Sequence, residues 1–141
     1  MVVPALIIAG IVFDQVMLGH KPHSIERVNK VDPELQAASK EAQDHLSDFL
    51  KELQDPKPGA GFAVKGSFKT PSGLEYLWVK SPEYKDGELV GKLDQVPLAY
   101  PGKKGDIVRV PLKEVYDWLI KDDSGIRGMF TDKVLQKRAG Q

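Results

Sequence analysis

The chain has 141 residues, 20 basic and 20 acidic side chains, and no net charge at neutral pH. It contains no cysteine, which excludes a disulfide framework, a thiolate nucleophile, a cysteine zinc site and a lipid-anchored cysteine. The balanced charge argues against a nucleic-acid binder, which usually carries a basic excess, and the length suits one domain plus an extension.

Val2 to Phe13 carries no polar side chain, and Val16, Met17 and Leu18 resume the run after Asp14 and Gln15. Residues 1–18 therefore read either as a membrane anchor or as an element packed on the domain. As a helix the apolar run would span about 25 Å, a little short of the roughly 30 Å hydrocarbon core. No basic residue precedes it and no A-x-A site follows, so it is a poor secretory signal. Lys21, Arg27 and Lys30 lie on its C-terminal side. A spanning segment would thus keep the domain cytoplasmic, at the inner face of the membrane. Residues 19–31 read as a linker, broken by Gly19, Pro22 and Ser24. His20 and His23 fall in it and do not share a helical face, which makes a poor metal pair.

A single α+β domain is expected over residues 32–138. Asp32 is a good N-cap and Pro33 suits the first helical position. Leu35, Ala38, Ala42, Leu46, Phe49, Leu50 and Leu53 recur at three- and four-residue steps, predicting one amphipathic helix from Pro33 to about Gln54. Pro56, Pro58 and Gly59 stop it. His45 falls on this helix at a boundary between core and solvent.

Phe62, Val64 and Phe68 alternate with Ala63, Lys65 and Ser67, as a half-buried strand requires. Leu74 to Val79 is apolar on both faces and reads as a central strand. Asp86-Gly87 marks a turn before a strand over Glu88 to Leu93, and Gly91 within it points to a bulge or a close backbone approach. Asp94 to Gly105 reads as a loop and Asp106 to Pro111 as a further strand. Leu112, Val115, Trp118 and Leu119 predict a short helix. Thr131 is expected to N-cap a last helix carrying Val134 and Leu135. The expected architecture is an N-terminal amphipathic helix packed on a small bent antiparallel sheet, a partial barrel of SH3-like form, with short C-terminal helices.

Taken in order, a set of blocks resembles the YegJ-like bacterial family, domain of unknown function 2314. The blocks are Asp32-Pro33, Phe62-Ala63-Val64-Lys65, Glu75-Tyr76-Leu77-Trp78, Gly91-Lys92-Leu93-Asp94 with Pro97, Gly105-Asp106, Asp117-Trp118, and Gly128-Met129-Phe130-Thr131 with Val134-Leu135. The resemblance covers about residues 32–135. The family pattern is broken in two places. Gln95 and Val96 stand where relatives usually have Asn and an acidic or polar residue, and Tyr76 stands where they often have His. A polar site built on those positions in relatives would be altered here. The resemblance implies no established activity. Its members look like small exported or cytosolic proteins, or modules joined to ankyrin-type repeats, which by association implies an interaction domain.

The candidate ligand or partner site is Glu75, Trp78, Asp94, Gln95, Asp117 and Trp118. Paired carboxylates do general acid–base work only when burial separates their pKa values. Asp106 and Asp117 also suit structural roles, bonding turn or backbone amides, and the two tryptophans suit core anchors. Tyr100, Lys103, Lys104 and Arg109 form a candidate basic–aromatic patch, or else an ordinary lysine-rich turn that keeps a sheet edge soluble. Phosphate-loop, dinucleotide and nucleophile-elbow motifs are missing. The expected function is a non-enzymatic module that recognises a protein or peptide, with no catalytic residue, metal or cofactor assigned and strand addition at an open edge as one mode. Two alternatives stand beside it: a small hydrolase or ligand-binding protein using Asp94, Asp117 and Glu75, and a weak single-stranded RNA binder using Lys103, Lys104 and Arg109.

Overall fold

In the computed structural model, which describes residues 32–140, Asp32 caps helix α1 (Pro33–Asp44). Its carboxylate accepts from the amides of Glu34 and Leu35 at 3.0 and 3.1 Å, relieving donors that the helix itself cannot satisfy. The helix expected to run unbroken to Gln54 is interrupted at His45, where φ is −107°. Helix α2 (Leu46–Gln54) follows. The apolar stripe survives the break: Leu35, Ala38, Ala42, Leu46 and Phe49 are all buried.

Six antiparallel strands follow: β1 (Gly61–Thr70), β2 (Gly73–Lys85), β3 (Glu88–Leu93), β4 (Ile107–Pro111), β5 (Val115–Asp122) and β6 (Gly125–Gly128). They form one open sheet in the order β4-β3-β2-β1-β5-β6. Helix α3 (Phe130–Ala139) ends the described chain. The protein is thus α+β, with β4 and β6 as the sheet's edges rather than a closed barrel among the described residues.

Register explains the core. Val64 of β1 stands opposite Val79 of β2 and Trp118 of β5, and all three are buried. They pack with Ala42, Leu46 and Phe49 of the helices and with Leu89, Leu93, Val108 and Val110 of β3 and β4. Trp118 ties the helices to the sheet directly, its Nε1 donating to the Ala42 carbonyl at 3.0 Å. Gln43 Nε2 donates to the carbonyls of Leu112 and Val115, and Ser39 Oγ to that of Tyr116. The close approach expected at Gly91 is present: a Cβ there would lie 2.6 Å from the Lys80 carbonyl oxygen, beside a register shift between Lys80 and Glu83.

Three expectations need correction. Residues 112–119 are not a helix: after a 3₁₀ turn over Leu112–Glu114 the chain enters β5. That strand is paired on both sides and buried on both faces, so its period-two signal is hidden and the three- and four-residue spacing misleads. A single helix, not several, closes the domain. Thr131 is not its N-cap: Met129 holds that position with φ +55°, and Thr131 lies in the first turn. The anchor-or-packed-element reading of residues 1–18, the linker over 19–31 and the His20/His23 pair fall outside the described residues. Among the described residues, no helix is long and apolar enough to cross a membrane.

Candidate functional site

The six candidate site residues separate into two groups. Glu75, Trp78, Asp94 and Gln95 hold the loop over residues 94–105. Glu75 is 5% exposed; its carboxylate accepts from three successive amides, Leu98 (2.6 Å), Ala99 (3.0 Å) and Tyr100 (2.8 Å). Trp78 is fully buried, and its amide donates to Gln95 Oε1 at 2.6 Å while its carbonyl accepts from the Asp94 amide at 2.9 Å. The Asp94 carboxylate lies 3.7 Å from Lys80 Nζ. The loop therefore continues along β2 beyond the end of β3. It returns to the sheet where the Gly105 amide donates to the Leu93 carbonyl at 2.7 Å.

Asp117 and Trp118 form the second group, at the start of α3. Asp117 is completely buried and accepts four bonds: from the amides of Trp118, Phe130 and Thr131, and from Thr131 Oγ1 at 2.6 Å. It caps α3 from across the fold, where the aligned peptide dipoles favour negative charge. This is the amide-binding role that the sequence left open. Burial is the main influence on its acidity and, with the nearby Asp132 carboxylate, pushes it up to about 6; Lys65 and the Thr131 donors pull the other way.

Glu75, Asp94 and Asp117 thus bind different partners and share none. Nor does the basic–aromatic patch stand free. Tyr100 packs its ring 4.9 Å from that of Phe68, and Arg109 Nη1 donates to Glu88 Oε1 at 3.0 Å. Asp106 makes a turn, accepting from the Lys103 amide at 2.8 Å.

The sequence reading missed a buried charged cluster beside Asp117. Lys65 Nζ lies 2.7 Å from Asp132 Oδ1, with the two side chains 3% and 2% exposed. The ammonium group sits 5.2 Å from the Trp78 ring centroid and 6.0 Å from that of Tyr116, a placement that the negative faces of the rings favour. Tyr116 stacks on Tyr76 at 3.9 Å, and burial pushes both phenols up. Asp132 Oδ2 is buried with no hydrogen-bond partner. A sequence signal existed. Lys65 faces the side of the sheet that Trp78 occupies, and apolar residues on both faces of β2 mean that neither face there meets water.

A separate groove of about 360 Å³ lies between α2 and the β5–β6 hairpin, lined by His45, Lys51, Trp118, Arg127 and Phe130 among others. Trp118 is the only candidate site residue in it. Arg127 there donates to both Glu52 oxygens, at 2.7 and 2.8 Å, and to Asp122; it holds the Glu52 carboxyl below its ordinary range. Among the described residues, no group of three or more potential ligands could hold a metal ion.

The described residues thus form an α+β domain whose buried carboxylates cap a helix and clamp a loop. The chain is a member of the family of uncharacterized proteins conserved in bacteria, domain of unknown function 2314, whose pattern matches residues 32–141. No curated protein and no solved structure matches the chain.

Proposed function

We propose that the domain is a non-enzymatic module that binds a protein or peptide through the loop over residues 94–105 and the sheet edge beside it. One observation carries this reading. A nearly buried carboxylate, Glu75, holds three successive loop amides, and the loop so held exposes Val96 and Leu98 at 75% and 56%. Burying a carboxylate is costly unless it is fully bonded. Here the bonding fixes a loop that leaves two aliphatic side chains in water. A rigid loop of this kind loses little freedom on binding, and its apolar side chains gain by being covered. The register shifts at Lys65/Gly66 and Lys80/Glu83 favour the bent, SH3-like sheet expected from the sequence, since bulges bend and twist strands.

The alternatives draw less support. A hydrolase needs carboxylates aimed at one reacting centre, whereas Glu75, Asp94 and Asp117 are engaged separately. A single-stranded RNA binder needs free rings for stacking, and Tyr100 packs against Phe68. Residues 2–18 would place the module at the inner membrane face if they span, on the sequence argument alone. Proximity labelling in bacteria tests the reading, with the full chain compared against a Val96→Asp/Leu98→Asp variant of equal melting temperature. We expect a set of neighbours labelled by the parent protein and lost in the variant. Identical sets would overturn the proposal.

A further inference from the structure

We infer that the outer edge of β4 takes an extended, acidic segment of a partner protein as an added strand. The inference rests on the reading of the domain as a binding module and names the chemistry of its partner. No described strand pairs with the outer side of β4, so its backbone donors and acceptors on that side are available for a ladder. Val108 and Val110 point into the core, while Ile107 stands 64% exposed and Arg109 is exposed with it. The strand is short and unblocked until Pro111, as strand addition requires.

Charge selects the partner. Across the sheet, Lys80 stands opposite Lys92, and Lys92 opposite Ile107, so one row on one face reads Lys, Lys, Ile. Like charges directly opposite one another destabilise a sheet, and a local conflict of this kind is expected where function demands it. Asp94 offsets Lys80 at 3.7 Å, but Lys92 has no ion pair among the described residues. The chain entering β4 adds Lys103 and Lys104, both exposed. Asp106, the acid beside them, is turned toward the Lys103 amide. An incoming strand with an aliphatic residue over Ile107 and carboxylates near Lys92 and Lys103 would answer both features. A nucleic acid fits less well. Arg109 is already paired with Glu88, the one aromatic of the patch is packed inward, and phosphates would make no use of an open β-edge.

Panning a displayed library of random short peptides on the full chain tests this. The expected result is enrichment of sequences in which an aliphatic and an acidic residue stand two positions apart, so that both fall on the face that Ile107 and Lys92 share. A synthetic peptide of that pattern should perturb the β4 amides in NMR spectra and lose binding when its alternate amides are N-methylated. It should also bind about tenfold more weakly to a Lys92→Glu/Lys103→Glu variant, since charge complementarity sets partner choice. Ile107→Lys, at an exposed position, provides a second variant. Enrichment of peptides of other chemistry that bind through Val96 and Leu98 would overturn this inference and leave the module reading standing. No enrichment would overturn both. Salt-steep binding of an oligouridine RNA through the same lysines would replace the peptide with a nucleic acid.

Discussion

Lys65 Nζ lies 2.7 Å from Asp132 Oδ1 where neither side chain reaches water, so a strand in the middle of the sheet is bound to the first turn of the terminal helix by an ion pair. Two buried carboxylates, Asp117 and Asp132, face one ammonium group, and the amides at the start of α3 supply the remaining positive potential. Removing one partner of such a pair strands the other charge in a medium that cannot solvate it. Lys65→Met is therefore expected to destabilise the domain by about 3 to 5 kcal/mol. A Lys65→Met/Asp132→Leu double variant should recover a large part of that loss, because apolar residues of similar volume replace buried ion pairs at little cost. Urea unfolding of the two variants and the parent measures the difference; a double variant as unstable as the sum of the single changes would contradict this account.

The same cluster fixes a pH dependence. Asp117 is raised from 3.8 to about 6, so the folded state holds its proton more tightly than the unfolded chain does. Its contribution is fully present below about 3.8 and is lost as pH rises through about 6, a span on the order of 3 kcal/mol. Protonation is sterically simple, since the Thr131 hydroxyl 2.6 Å away can turn and accept where it now donates. Asp32 acts in the opposite sense. Hydrogen bonding to Arg138 lowers it to about 2, so its stabilisation holds above 3.8 and is lost as pH falls toward 2. Glu52, lowered by Arg127, adds to that acid-side loss. Stability should peak at about pH 4, decline from there through about pH 6 and level off above it. Unfolding midpoints across this range check the profile, and Asp117→Asn should flatten its neutral limb.

Most of the elements were legible in the sequence where local chemistry decides them. Asp32-Pro33 fixed the first helix, and the alternation around Val64 and the turn at Asp86-Gly87 fixed strands. Reading failed where tertiary context decides. Nothing local to Val115-Tyr116-Asp117-Trp118 reveals that the segment pairs on both sides, so its spacing imitates a helix. Lys65 looks solvated until Trp78 is placed beside it across the ladder. The site was half legible: Glu75 and Asp117 stand among the candidate residues, and both are buried carboxylates. Their partners were not legible, because each binds amides more than ten residues away in sequence.

Glu75 offers a test confined to the loop. Replacing it with Gln keeps size but removes the charge and turns an amino group toward a row of donors. Hydrogen bonds to charged groups contribute about 1.5 to 3 kcal/mol each, though such terms do not add fully in one network. Glu75→Gln should cost roughly 1 to 3 kcal/mol and act locally. Amide exchange at Leu98, Ala99 and Tyr100 should accelerate far more than at Val64 or Val79 in the core. Uniform acceleration across the sheet would mean that the loop is not an independently held unit.

Trp118 is the point at which helices, sheet and groove meet. Its ring lies 5.4 Å from Phe49 and 5.5 Å, edge to face, from Phe130, and Gly128 passes so close that a Cβ there would meet the Trp118 ring at 2.7 Å. Trp118→Ala removes this packing and leaves a cavity, for an expected loss of about 3 to 5 kcal/mol. Trp118→Phe keeps a ring against Phe49 and Phe130 but gives up the bond to the Ala42 carbonyl, a loss expected near 1 to 2 kcal/mol from the bond plus a smaller void. Denaturant midpoints for the two variants separate packing from hydrogen bonding. If both were near the parent, with the groove between α2 and β6 altered instead, Trp118 would be a ligand-facing residue rather than the anchor of the core.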